Sequence, residues 1–358
     1  MISVFEHPWL GGLFADEASR ALFSADIQLR HMLEIEAAFS RALGHVGKGP
    51  SDAAEETARA IEGAEIDLAA LRDETGKDGV VVPALVRQLK ALPGVSADLV
   101  HKGMTSQDVI DTSLSLTLKH LTDILIARVE TAATEVQVLN RRYGTRRIMG
   151  RTRMQAALPV PLSHRFKTWA DPLKAHAARL EAQRSGVELL QLGGPVGTAE
   201  ELGDEAGEIS KFMADALGLQ SVASSWHSQR DGIAEYASML SLISGSLGKI
   251  GMDLCLMAQQ GIDEASFAGG GGSSAMAHKN NPVLAELLVT LARFNATQVS
   301  AMHHALVHEQ ERSGAAWTLE WMVLPQMAAA TSLGLAKVVE LFEMITSLGS
   351  DETPGQPA

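Results

Sequence analysis

Three long stretches of the chain repeat apolar residues at steps of three and four. From Ser113 to Asn140 they fall at Leu114, Leu118, Leu121, Leu125, Val129, Ala132, Val136 and Leu139, which is one face of a helix. From Gln229 to Gln260, Ile233, Leu240, Leu247 and Leu254 alternate with Tyr236, Ile243, Ile250 and Met257, the pattern of a bundle seam. The third stretch runs from Pro282 to about Gln310, where Asn281 can cap the helix and proline suits its first turn. A helix of ~30 residues is ~45 Å long and needs partners along its length. The spacing therefore predicts an all-α fold built on a long helix bundle, shared between subunits. Apolar or small residues on outer faces of these helices, Met239, Leu242 and Leu256, point the same way.

Shorter helices are predicted over Asp16 to Leu43, over Ser51 to Leu71 with Ser51 as N-cap, and over Val82 to Leu92, ended by Pro93-Gly94. A last one covers Ala336 to Leu348. No strand–helix alternation and no repeat of fixed period stands out. The chain divides into an N-terminal helical domain, 1–103, and a central bundle domain, 104–348, with a mobile loop at 263–281. A polar, frayed tail follows at 349–358.

Composition narrows the function. With 358 residues, 46% hydrophobic and 20% charged, the chain has the make-up of a globular protein with a large core. Aromatics make up only 4%, and the abundance of Ala and Leu favours helices. The formal charge of −13 argues against general nucleic-acid or anionic-membrane binding. One cysteine, Cys255, excludes a disulfide framework and a multi-cysteine metal site, and fits a reducing cytoplasm. No uninterrupted apolar run is long enough to predict a membrane span, and Met1 to Gly12 lacks the make-up of a secretory signal.

Several segments could carry chemistry. Gly269-Gly270-Gly271-Gly272-Ser273-Ser274 runs through His278-Lys279-Asn280-Asn281 into the start of a helix. Glycines allow close backbone approach, and a helix N-terminus attracts anions. A flexible linker is the plainer account, and the spacing around Lys279 is not that of a phosphate-binding loop. Six arginines lie between Arg141 and Arg153. They suit either a solvated helix C-terminus or the recognition of a small polyanion. His101, Thr105, Ser106, Gln107 and two aspartates, Asp108 and Asp111, precede a helix; Thr105 or Ser106 could cap it, or the hydroxyls and amide could be donors for a carboxylate. His304 and His308 are one turn apart, but the metalloprotease order is absent, and no metal is expected.

Taken together, these segments resemble the fumarase/aspartase superfamily. Ser273 to Asn281 is similar to its SSxMPxKxN loop, with Ala277 in place of proline. Gly150-Arg151-Thr152-Arg153-Met154-Gln155 resembles the lyases' GRTHxQ segment, with Arg153 where they carry a catalytic histidine. His101 to Thr112 resembles the first shared region, and Gly193 to Thr198 a small-residue turn of the family. Thr105 to Thr112, Val81 to Val86 and Glu311 to Trp317 look most like the bacterial 3-carboxy-cis,cis-muconate cycloisomerases, which usually carry tryptophan at the position of Arg153.

The resemblance implies a homotetramer whose sites gather residues from three subunits, acting on a small polyanionic carboxylate without metal or organic cofactor. Ser273 is implied as the proton-transfer residue, with His101 as competitor. Lys279 and Arg312 would hold carboxylates or the enolate. Thr105, Ser106, Gln155 and Asn281 would supply neutral donors, and Arg153 would bind a carboxylate or a sulfonate. Relatives often carry a further C-terminal helical domain, which is expected here to be reduced or missing. The rival readings are a lyase releasing fumarate from an adenylosuccinate- or argininosuccinate-type substrate, and a catalytically silent structural relative.

Overall fold

The computed structural model describes residues 3–272, 276 and 280–352. Two short helices, α1 (Gly11–Phe14) and α2 (Glu17–Leu22), lead into α3 (Ala25–His45), α4 (Ser51–Glu62), α5 (Leu68–Asp78) and α6 (Val82–Lys90). The long helix α7 (Ser106–Tyr143) follows, then a hairpin of β1 (Arg147–Thr152) and β2 (Gln155–Pro161). After α8 (Leu162–Val187), α9 (Ala206–Leu217) and α10 (Asp231–Met257) come the short strands β3 (Ala265–Phe267), β4 (Gly271–Gly272) and β5 (Asn280–Asn281). The chain then forms α11 (Val283–His304), α12 (Gly314–Glu343) and β6 (Ile345–Leu348). Each strand pairs antiparallel with one partner: β1 with β2, β3 with β6, β4 with β5.

The predicted seams form the bundle core. Leu118, Leu121, Leu125 and Val129 of α7 are buried with Ile233, Tyr236, Leu240, Ile243, Leu247 and Leu254 of α10, together with faces of α8, α11 and α12. Helices α10 and α11 pack closely because α10 carries glycine where they meet: a Cβ at Gly251 would lie 2.4 Å from the Ala285 carbonyl oxygen. A second core joins α3, α4 and α6 to α9 and to Val109 and Leu116 of α7. The long helix thus belongs to both cores, its first turns to one and its remainder to the other.

Several boundaries differ from those predicted, each for a local reason. The first predicted helix breaks between α2 and α3, where the Ser24 hydroxyl accepts from Ile27 N–H and starts a new helix. The second breaks after Glu62, and Asp67 caps α5 through Ala69 and Ala70 N–H. Helix α7 begins at Ser106 with Thr105 as its cap, one of the two caps the sequence offers, and the apolar stripe starts later because the first turns also bury Asp108, Asp111 and Thr112. Helix α12 was predicted only at its end. It is apolar on most sides and contains Pro325, so it shows no clean period. Its predicted final turn is instead strand β6. Helix α11 ends at His304, short of Gln310.

Helices α10 and α12 are long and apolar enough to cross a membrane, yet half or more of the most apolar window of each, 50% and 61%, is buried inside the bundle.

A buried charge cluster binds three helices together. Arg230, at the start of α10, donates to both oxygens of Asp111 on α7, at 2.7 and 3.2 Å. It also donates to Glu320 on α12, from Nε at 2.9 Å and from Nη2. Trp317 Nε1 and Gln107 Nε2 complete the ring around Asp111, each at 3.0 Å. Burial works to raise Glu320, but His308 and Arg230 outweigh it and hold the carboxyl below its usual range. Removing the cation would leave two buried carboxylates facing each other. Arg230→Met is therefore expected to cost about 3–5 kcal/mol of stability, read as a lower denaturant midpoint, whereas an unchanged midpoint would contradict this role.

Two histidines make the fold sensitive to acid. Burial pushes His31 down to about 4, with His120 nearby adding to the effect. Burial does the same to His176, which also pairs with the Ser246 hydroxyl at 2.8 Å. In the unfolded chain both protonate near pH 6.5, so between about 6.5 and 4 the unfolded state binds more protons than the native one. Stability should be full above this window and fall as pH drops through it. Thermal melts at pH 7 and pH 5 should show a smaller loss for His176→Asn than for the unsubstituted chain; an equal loss would refute the assignment.

Candidate active site

A candidate site forms where α7 begins. Asp108, in the first turn, is fully buried and accepts from Thr105 N–H at 2.9 Å, closing the helix N-terminus. The same carboxylate accepts from Gly193 N–H at 2.8 Å and Gly194 N–H at 2.9 Å, and His227 Nε2 lies 2.8 Å away. One side chain therefore holds the helix start and the 193–197 turn together. Gly194 has φ 67°, and a Cβ there would lie 2.7 Å from the Gly103 carbonyl oxygen, so only glycine fits.

This packing presents a small polar rim. Thr105 and Ser106 are half-buried at the positive end of the helix dipole. Arg312, from the connection between α11 and α12, donates from Nη1 to the Thr105 hydroxyl. His101 lies four residues before Thr105, in a left-handed backbone conformation with φ 56°. Its Nδ1 is 2.6 Å from Glu36 Oε1, and its side chain is 15% exposed. The structure thus ties Arg312 to Thr105 and sets His101 and Ser106 in the same short segment. A cation and two hydroxyls at a helix N-terminus can bind a carboxylate, and an imidazole is a group that can move a proton.

Of the other predicted residues, Arg153, Gln155 and Asn281 stand elsewhere on the chain. Arg153 and Gln155 are exposed at the tip of the β1–β2 hairpin. Arg153 and Met154 form its two-residue turn with φ 52° and 66°, values that cost a side-chain-bearing residue roughly 1–2 kcal/mol. Arg151, two residues before, is held by both oxygens of Glu264 at 3.0 Å. Among the described residues Arg153 makes no hydrogen bond or ion pair.

Asn281 lies on β5 opposite Gly271 and lines a pocket of about 270 Å³ with Gly270, Pro282 and Met344. Ser273 and Lys279 lie outside the described residues. A separate pocket of about 250 Å³ lies between α3, α7 and α12, lined by Ile110, Leu114, Trp321 and Leu324 together with the carboxylates Asp111 and Glu320.

Sequence reasoning missed Glu36, Arg230, His227 and Glu320. Glu36 had a signal: a lone acid among Met32, Ile35, Phe39 and Leu43 on the buried face of α3. Arg230, just before α10, and Glu320, in α12, had none beyond being charged residues next to or within apolar helices.

Residues 14–299 match the family described as Lyase. The 3-carboxy-cis,cis-muconate cycloisomerase of Bradyrhizobium diazoefficiens is 36% identical over 343 residues, covering 94% of this chain and 76% of that protein. The N-acetyl-S-(2-succino)cysteine lyase of Enterococcus italicus is 30% identical, covering 92% and 73%. The crystal structure of 3-carboxy-cis,cis-muconate lactonizing enzyme from Pseudomonas putida superposes with a TM-score of 0.89 at 32% identity, covering 95% of this chain and 78% of that one. With one family matched over most of its length and the bundle shared with a solved member, the chain belongs to the lyase family of the fumarase/aspartase superfamily.

Proposed function

We propose that the protein is an intramolecular lyase that closes a lactone on 3-carboxy-cis,cis-muconate or its sulfonated analogue. The observation that carries this is the Arg312–Thr105 contact at the α7 N-terminus, with His101 four residues before Thr105 in the chain. One carboxylate of the diene adds across a double bond and forms the new C–O bond. The displaced electron pair moves to the carbon alpha to a second carboxylate, which becomes an enolate before that carbon takes a proton. No electrons leave the substrate, so the reaction needs no redox partner. The developing charge calls for fixed positive groups, which Arg312 and the helix dipole supply. Lys279 and Ser273 join them by resemblance, Lys279 as a further cation and Ser273 as the proton-transfer residue that competes with His101. Ser106, Gln155 and Asn281 supply neutral donors.

The complete site belongs to a homotetramer in the cytoplasm. Supporting this are the bundle's unpartnered apolar residues, Leu242 at 55% and Met322 at 68% exposure, and the projecting hairpin. On this reading a neighbouring protomer inserts Arg153, and the left-handed tip holds its guanidinium out for an anion. Arginine can bind a planar carboxylate through two hydrogen bonds and can also meet a tetrahedral sulfonate. That supports acceptance of both analogues.

Incubation with each muconate should give loss of diene absorbance. Appearance of fumarate from succinyl-type substrates, with no diene loss, would favour the other lyase chemistry represented among the relatives. Arg153→Ala should lower kcat/KM by about tenfold or more for at least one of the two anions, about 1.4 kcal/mol of transition-state stabilisation. Unchanged kcat/KM for both would remove Arg153 from the site.

A further inference from the structure

Glu36 is fully buried on α3, and its Oε2 has no hydrogen-bond partner. Its other oxygen, Oε1, meets His101 Nδ1 at 2.6 Å. A buried carboxylate with so few partners is costly unless something charged or strongly donating faces it. The local backbone is organised around this contact. One turn along α3, the Ser40 hydroxyl donates to the Leu99 carbonyl at 2.7 Å, fixing the segment just before His101. His101 then takes a left-handed conformation that a β-carbon disfavours, and Met104 N–H returns to its carbonyl at 3.3 Å. The chain therefore carries local strain at the residue whose ring reaches Glu36.

We infer that Glu36 is a positioning residue that holds the His101 imidazole with Nδ1 protonated, leaving Nε2 as the nitrogen that serves the substrate. The inference rests on the reading of His101 as a proton-handling group of the site. The geometry requires a proton on the line between the two atoms, because two lone pairs at 2.6 Å would repel. Nδ1 is thereby committed to Glu36. Among the described residues no partner engages Nε2, and the side chain remains 15% exposed. Imidazole nitrogens are distinct in this way: the bond made by one fixes the task of the other. Glu36 does not touch substrate. It selects the tautomer, sets the plane of the ring, and faces the cation if the ring becomes protonated during turnover.

Two measurements test this. In steady-state kinetics, Glu36→Gln should lower kcat by about 10- to 100-fold with KM changed less than about twofold, as for outer partners of other functional imidazoles. In a His101→Ala background the same substitution should have no further effect on kcat. An unchanged kcat for Glu36→Gln, or an equal drop with and without His101, would overturn the assignment while leaving the lactone-forming activity standing. Independently of any substrate, nitrogen-15 NMR of labelled histidine should show His101 Nδ1 protonated at pH 8 in the unsubstituted protein. In Glu36→Leu the proton should move to Nε2. An unprotonated Nδ1 in the unsubstituted protein would overturn the inference even if Glu36→Leu fails to fold. If no muconate is turned over at all, the functional reading fails and the tautomer still decides the role of Glu36.

Discussion

The buried carboxylate of Asp108 is the constraint on which the rest of the site depends. It accepts from the backbone of Thr105, Gly193 and Gly194 and pairs with His227, so helix start, glycine turn and histidine share one anchor. The Gly193 and Gly194 N–H groups it satisfies would otherwise be buried, unpaired polar groups. Asp111, three residues on, does the same for the helices, joining α7 to α10 and α12 through Arg230 and Glu320. These two aspartates explain why the first turns of α7 are polar yet buried. They also explain how Arg312, distant in sequence, comes to rest on Thr105.

Such a network is not an efficient way to stabilise a protein, since burying charge is costly and an apolar replacement is often as stable. Its value here is directional. Hydrogen bonds between fixed partners set the angle of the α7 N-terminus against the start of α12, and an apolar contact would leave that angle soft. On the proposed reading the site meets a developing enolate, and it gains from donors already in place. The left-handed backbone at His101 and at Arg153 follows the same division: strain sits at residues of the proposed site, while the seams of the bundle stay regular.

Much of the fold was legible in the sequence because the bundle seam is periodic. Ile233, Tyr236, Leu240 and Ile243 announce a helix face, and the structure buries them all. The helix through Pro325 was not legible, because a helix buried on most sides has no polar face to mark its period. The site was legible only as motifs. Thr105, Ser106 and His101 could be read from one short segment, and Arg312 joins them through a contact that spans more than half the chain. Glu36 and Arg230 were opaque, since their importance lies in what they face after folding. Arg153 was visible as a departure from the family pattern, and the structure adds that it occupies a turn position that normally favours glycine or asparagine.

On the proposed reading, anionic substrate is received at the α7 N-terminus, between Thr105, Ser106 and Arg312. The most direct measurement is a crystal structure of the assembled protein with the muconolactone product bound. The account predicts a product carboxylate within hydrogen-bond distance of the Thr105 hydroxyl and the Arg312 guanidinium, with the ring of His101 close to the carbon that took the proton. Product seated instead in the pocket beside Ile110 and Trp321, with Thr105 and Arg312 still bound only to each other, would contradict it.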